Sequence, residues 1–362
     1  MSIKNILNKD NFSKDDIVNL LKLNENDSNE LYDFAYQTKK KYVGNFTYLR
    51  ALIEYSNICS KNCLYCGIRY GNKNVTRYTM SDEEILESVS YAMDNQYSSI
   101  VIQGGEIESK KHTEHINDLI KKIMDLSEGK IGITLSLGEQ SYDTYRLWRQ
   151  SGAKRYLLRI ESSNEELFYK IHNKNENHNF QKRVECLKML KDSDYQVGTG
   201  IMIGLPEQTL DHLADDVFFM IDLDIDMIGM GPYIEHIDTP LFEKREMLLP
   251  LNERFNLSLK LISIMRIFMK DINIAASTAM QTIDSEGKEK ALKSGANILM
   301  PNITPLQYKE NYKLYENKPK FDELSNEFME NIKKWVSNAG DIIKFDKHGD
   351  SIHYKNKQFK VK

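Results

Sequence analysis

Eight short apolar runs, rich in Ile, Val and Leu, recur along this chain and alternate with longer amphipathic stretches. They fall at 49–55, 99–103, 131–137, 155–160, 196–203, 227–231, 272–277 and 296–300. The stretch 81–95 opens on Ser-Asp-Glu-Glu, a serine N-cap followed by acids that suit the positive end of a helix dipole. Segments 209–222, 252–269 and 286–294 carry apolar residues at helical spacing. Residues 10–42 read as two helices ahead of the first strand. Strands alternating with helices require parallel pairing through βαβ crossovers. Eight such units match a complete (β/α)8 TIM-type barrel, and an open doubly wound sheet is the competing arrangement. The barrel is favoured because the unusual residues fall just after strands, the end at which barrel enzymes carry their chemistry. The α/β reading divides the chain into N-terminal helices at 1–45 covering the barrel, the barrel at 46–315, and a short polar C-terminal extension at 316–362. In the extension, an amphipathic helix is expected near 321–336, followed by a hairpin or a loosely packed tail.

Composition excludes several partners. The formal net charge is −4, without the basic footprint of a nucleic-acid binder. No apolar run reaches the roughly 18 residues of a membrane span. The opening MSIKNILNKDNFSKDD lacks the apolar core of a signal peptide, so a cytoplasmic protein is expected. Of four cysteines, three lie within eight residues. In a reducing compartment such a cluster reads as a metal site before it reads as disulfides.

That cluster is Cys59-Ser-Lys-Asn-Cys63-Leu-Tyr-Cys66, directly after the first strand. Three thiolates at this spacing can bind three corners of an iron–sulfur cube, which normally takes four ligands. One iron is then left open. Zinc is the alternative, but it would favour a second Cys-x2-Cys arm, and none exists. Gln103-Gly104-Gly105-Glu106 follows the second strand, where glycines let a ligand approach the backbone or simply form a turn. Ser136 ends the third strand. Glu161 follows the apolar fourth strand, where a carboxylate needs a ligand or an ion-pair partner such as Arg159 or Arg183. Gly200-Ile-Met202-Ile-Gly204 runs into a Thr-capped helix and suits an adenine or ribose contact. Cys186, among apolar neighbours, reads as a buried inert thiol. His172 and His178 read as surface residues.

The Cys-x3-Cys-x2-Cys spacing with Tyr65 before the last cysteine resembles the radical S-adenosylmethionine (SAM) superfamily. EYSNICSKNCLYCGIRYGNKNVTRYTM, TLSLGE, YLLRIES, IMIGLPEQT, GMGPYIEHIDTPL, STAM and GANILMPNITP look most like the [FeFe]-hydrogenase maturase HydE, over residues 54–315. The resemblance implies one [4Fe-4S] cluster on Cys59, Cys63 and Cys66, with SAM on the open iron. SAM would be held by Gly104, Gly105, Glu106, Ser136, Glu161, Arg183 and Met202. Arg159, Met230, Thr278, Met280 and Tyr308 would line an inner substrate cavity. It further implies a monomer whose N-terminal helices close the cavity, and reductive cleavage of SAM to a 5′-deoxyadenosyl radical. The substrate would be a small iron–cysteine complex, on the route to the di-iron subcluster of the H-cluster. The electron donor would be a flavodoxin or ferredoxin, with other hydrogenase maturases as partners. Some members carry three further cysteines near the C-terminus for a second cluster. No cysteine follows Cys186 here, so that cluster is expected to be absent. Two alternatives remain: a methylornithine synthase-like enzyme acting on an amino acid, and a non-catalytic iron–sulfur electron carrier.

Overall fold

The computed structural model describes residues 3–9, 11–175, 177–317 and 324–361. Its strands are β1 (Phe46–Leu49), β2 (Ala51–Ser56), β3 (Ser99–Gly104), β4 (Gly132–Ser136), β5 (Ala153–Leu157) and β6 (Gln196–Thr199), then β7 (Met202–Ile203), β8 (Met227–Ile228), β9 (Gly231–Pro232), β10 (Asn273–Ile274), β11 (Ile298–Leu299) and β12 (Ile342–Ile343). All eight apolar runs contain strand. Helices follow them at Asp82–Asp94, Leu210–Asp222, Leu251–Phe268 and Gly287–Lys293, as the spacing predicts. The Ser81 hydroxyl accepts from Glu84 N and the Glu84 carboxylate from Ser81 N, a reciprocal cap.

Seven strands form one curled parallel sheet in the order β10-β8-β6-β5-β4-β3-β2. Among the described residues, buried apolar side chains rich in Ile and Leu form one large core, with a smaller cluster of Leu167, Ile171, Leu205, Tyr233 and Leu241 beside it. The expected complete eight-stranded barrel is corrected on one point. The eighth run, β11, ladders on β1 and meets the two edges of the seven-stranded sheet only through single bridges, Ala275↔Ile298 and Leu52↔Asn302. Two backbone bonds flank each bridge, Ala276 N to Ile298 O and Asn297 N to Ile274 O on one edge, Leu52 N to Pro301 O and Ile303 N to Leu52 O on the other, and side chains bond the backbone just beyond them. Asn297 Oδ1 accepts from Ile274 N at 2.8 Å, Thr304 Oγ1 from Glu54 N at 2.8 Å, and Asn302 Nδ2 donates to Glu54 at 2.8 Å. Short polar side chains that bond backbone groups compete with regular pairing in this way.

The N-terminal helices Lys14–Leu21 and Glu25–Tyr42 pack on the outer helices Leu210–Asp222 and Leu251–Phe268. The buried Lys39 ammonium donates to Leu292 O and Ala296 O and pairs with Asp341. These helices thus sit beside the sheet, against its outer layer.

The polar C-terminal residues are not a loose tail or a hairpin. β12 pairs with β1, and a helix spans Ile352–Val361. The amphipathic helix runs Asn326–Asn338; residues 321–323 of its expected span lie outside the described residues. Residues 348–351 close the end of the sheet where strands begin. Arg50 Nη2 and Asn273 Nδ2 both donate to Gly349 O, Ser99 Oγ donates to His348 O, and Arg155 Nη1 binds Asp350 at 2.6 Å. Gln196, the first residue of β6, bonds both Asp350 and Ser351 N. Each bond satisfies a buried polar group that would otherwise lack a partner.

Candidate functional site

At the opposite end, where strands finish, a cavity of about 910 Å³ opens. That lies within the usual range for small-molecule sites, about 300–1,000 Å³. The fully buried strand β2 runs into the loop bearing Cys59, Cys63 and Cys66, and all three line the cavity. The loop is pinned from several sides. Ser60 N donates to Glu106 O at 2.8 Å, Leu64 N to Ile171 O at 2.9 Å, and Gly67 N to Leu314 O at 3.1 Å. The Arg77 guanidinium donates to the carbonyls of Asn57, Ile68, Arg69 and Asn72. Sequence reading missed Arg77, because nothing in its neighbours marks an arginine that organises a loop.

Burial raises the pKa of all three thiols, and for Cys63 and Cys66 the neighbouring thiols reinforce it; Cys66 is pushed up to about 12. Crowded sulfurs that resist ionisation on their own suit a cationic centre, which stabilises thiolates. Cys59 Sγ also accepts from the backbone N–H of Lys61 at 3.4 Å and of Glu106 at 3.3 Å, as a thiolate ligand would. The donor set therefore fits an iron–sulfur cluster held through three sulfurs.

Gly105 explains the close fit of the next strand. A Cβ there would sit 2.2 Å from Ile58 O and 2.8 Å from Cys59 Cβ, and one at Gly104 would sit 2.3 Å from the Tyr55 ring. Both glycines let β3 end against the cysteine loop, and both line the cavity.

Beside the loop lies a buried four-charge network. Lys61 Nζ pairs with Glu106 at 3.0 Å and Glu139 at 2.9 Å; Arg183 pairs with Glu139 at 2.6 Å and Glu106 at 3.3 Å. Burial alone would raise the Glu139 carboxyl, but Arg183 and Lys61 hold it below its ordinary value. Burial opposes the charge on Arg183 as well, and the two carboxylates raise its pKa regardless. Two cations balance two anions, so an arriving carboxylate can exchange for one of them without stranding a charge. Lys61 and Glu139 were not singled out from the sequence as binding residues.

Ser136, Glu161 and Met202 line the same cavity. Glu161 is held at φ +64°, an uncommon conformation for a non-glycine residue. It is fixed by Glu161 N to Gly200 O at 3.0 Å and Met202 N to Glu161 O at 3.2 Å. Its carboxylate binds Arg159 at 2.9 Å, the ion pair anticipated as its alternative role.

Arg159 and Thr278 also line the cavity, but three other expected cavity residues do not. Met230 is fully buried in the core while its neighbours Gly229 and Gly231 face the space, the alternation of an extended segment. Met280 packs into the core from the short Thr278–Ile283 helix. Tyr308 stacks on Tyr78 at 4.7 Å and donates to Glu84 at 2.7 Å, outside the cavity wall. Lining comes instead from the adjacent segment, including Tyr312 and Leu314. Cys186 is buried, as expected, with Sγ 3.7 Å from Gln140 O. His172 and His178, expected at the surface, are both buried.

Comparisons agree with this geometry. Residues 53–220 match the model of the Radical SAM superfamily. The HydE subunit of the [FeFe] hydrogenase maturase of Thermotoga maritima is 41% identical over 313 residues, covering 86% of each chain. Among solved structures, methylornithine synthase (PylB) superposes with a TM-score of 0.80 at 22% identity, over 95% of this chain and 97% of that one. The [FeFe]-hydrogenase maturase HydG superposes at 0.79 with 18% identity, over 95% of this chain and 75% of that one. At such identities the two structures speak for the fold alone. The relative from Thermotoga maritima carries the assignment further: this chain belongs to the radical SAM superfamily and, within it, to the HydE family of hydrogenase maturases.

Proposed function

We propose that this chain is a radical SAM enzyme of [FeFe]-hydrogenase maturation, which reductively cleaves SAM while making a precursor of the di-iron subcluster. The observation that carries it is that the three-cysteine loop lines one cavity with Lys61, Glu106 and Arg183, which Glu139 pairs from behind. Family membership implies a [4Fe-4S] cluster and SAM. When bound together, these supply one-electron cleavage of SAM to methionine and a 5′-deoxyadenosyl radical.

The chain's own residues have separable tasks. Cys59, Cys63 and Cys66 would hold a single cluster, which three protein ligands would leave open to SAM. Gly104 and Gly105 let the methionine end approach, and Glu106 accepts from its ammonium. Arg183 takes its carboxylate, and Ser136, Glu161 and Met202 hold the ribose and adenine side. Arg159 and Thr278 face the remaining space, where the iron–cysteine complex would sit. Closure of the cavity over bound substrate would exclude water and protect a primary carbon radical from side reactions. The enzyme would work in the cytoplasm as a monomer. A flavodoxin or ferredoxin would supply electrons, and other hydrogenase maturases would deliver and receive the complex. Residues 46–315 form the catalytic unit, 1–45 an outer helical layer and 316–362 the closing extension.

The test is substrate-dependent 5′-deoxyadenosine formation by anaerobically reconstituted protein. Turnover with an iron–cysteine complex is expected, at about four irons per chain. Conversion of lysine to methylornithine would replace the maturase reading. About six or more irons would contradict the single cluster.

A further inference from the structure

Two residues past Glu161, the chain is tied to a carboxyl that the proposed reaction does not use. Asp216 lies within the helix Leu210–Asp222 and is fully buried. Its Oδ1 accepts from Ser163 N and from Ser163 Oγ, both at 2.6 Å. Its Oδ2 is buried with no hydrogen-bond partner among the described residues. Burial pushes the carboxyl up to about 7, against the bonds from Ser163. The helix's other buried residues, Leu213, Ala214, Val217 and Met220, are apolar. A carboxyl among them is costly to bury, and what it secures there is one backbone N–H and one hydroxyl of Ser163.

That attachment bears on Glu161. Its backbone is held at φ +64°, a conformation that non-glycine residues keep only where their surroundings over-determine it. On one side, Glu161 is bonded through Gly200 O and Met202 N. On the other, Asp216 takes the Ser163 N–H. Only Ser162, also fully buried, lies between the two anchors. Both anchors come from the next strand–helix unit, because β7 at Met202–Ile203 leads into the helix that carries Asp216. The following residue, Asn164, caps the helix Glu165–Ile171 by accepting from Leu167 N at 2.9 Å. Asp216 itself is not part of the cavity wall, whereas Glu161 is.

We infer that Asp216 is a positioning residue for SAM: by holding Ser163 it keeps Glu161 in its left-handed conformation, with the carboxylate on the cavity wall. The inference rests on the SAM contact given to Glu161 under Proposed function. Released at Ser163, the Glu161 backbone can relax to an ordinary conformation, which redirects its side chain. The effect of Asp216 on SAM then passes through Glu161, and that is what separates positioning from packing.

The experiment is a double-mutant cycle on the anaerobically reconstituted protein. The SAM dissociation constant is read from the perturbation of the reduced-cluster EPR signal, beside iron content and the kinetics of 5′-deoxyadenosine formation. Asp216→Ala is expected to bind SAM about tenfold more weakly, with a raised KM, a kcat near that of wild type and full iron loading. Asp216→Asn, whose amide oxygen can accept both Ser163 bonds, is expected to restore wild-type affinity. On a Glu161→Ala background, Asp216→Ala should weaken binding no further, because the group it acts through is gone. Equal weakening on both backgrounds overturns the inference and leaves Asp216 a packing residue. So does a folded Asp216→Asn that binds as weakly as Asp216→Ala. Ser163→Ala removes the hydroxyl bond alone and decides the matter should Asp216→Ala not fold. It is expected to weaken SAM binding about threefold in otherwise wild-type protein and to add nothing to Glu161→Ala; unchanged binding overturns the inference. Glu161→Ala that binds SAM like wild type removes the contact itself, and this inference with it. Wild type that takes up cluster but no SAM sinks the proposed function as a whole.

Discussion

At the residue scale, the site depends on close approaches that only particular side chains permit. Gly105→Ala would place a methyl 2.2 Å from Ile58 O, so the cysteine loop must move. Overpacking of this kind costs about 1–3 kcal/mol. The expected outcome is iron affinity reduced about tenfold or more with the thermal transition of the metal-free protein little changed, read by reconstitution against a chelator. The sequence makes Gly105 visible because its cue is local, a glycine pair ending a strand. The same holds for the cysteines and Glu161. Lys61 and Glu139 escape because their meaning lies in a pairing across 78 positions, which no local pattern records. Met230 fails for a different reason: on an extended segment a one-residue step decides whether a side chain faces the cavity or the core. Met280 fails because it sits on the core side of a short helix.

At the element scale, the polar segment behind the sheet is what the sequence misrepresents most. Its residues look solvated by composition. They are polar because their partners, Arg50, Arg155, Asn273 and Gln196, are polar groups buried where strands begin. Asp350→Ala would leave the fully buried Arg155 guanidinium without its carboxylate. Breaking a buried pair from one side costs roughly 3 kcal/mol, which denaturant unfolding should register. The last helix is tied down differently. His353 bridges Asp271 at 2.9 Å and Asp224 at 2.7 Å. The bond to Asp271 raises the histidine pKa above its ordinary 6.5, partly opposed by burial and aided by Asp224, with Lys357 nearby working against it. A group whose folded pKa is raised stabilises fully below its unfolded value and loses that contribution as pH rises through the folded one. The gap in melting temperature between wild type and His353→Gln should therefore be wider near pH 6 than near pH 9. A gap that stays constant, or widens with pH, would contradict the latch. The seam at β11 was equally illegible. The apolar run at 296–300 is plain, but its pairing with each edge stops after one bridge, where side-chain bonds from Asn297 and Asn302 begin.

At the scale of the whole molecule, the two ends of the sheet have been given opposite tasks. One is stitched shut by the chain's C-terminal residues. The other keeps a cavity whose wall joins three soft sulfur ligands to Lys61, Glu106 and Arg183 of a neutral four-charge network. The alternation of strand and helix was enough to place both ends, since parallel strands connected by helices put all their C-terminal loops on one side. What alternation cannot specify is which loops meet, and the cavity exists only where they do. The central claim is that the three-cysteine loop holds the cluster that cleaves SAM. It is tested most directly by measuring 5′-deoxyadenosine formed from SAM under strong reductant, in wild type and in Cys63→Ala. Wild type should form it, with the EPR signal of its reduced cluster perturbed by SAM. Cys63→Ala should fold with the same circular dichroism and form none. Undiminished 5′-deoxyadenosine from the folded alanine variant would contradict the account.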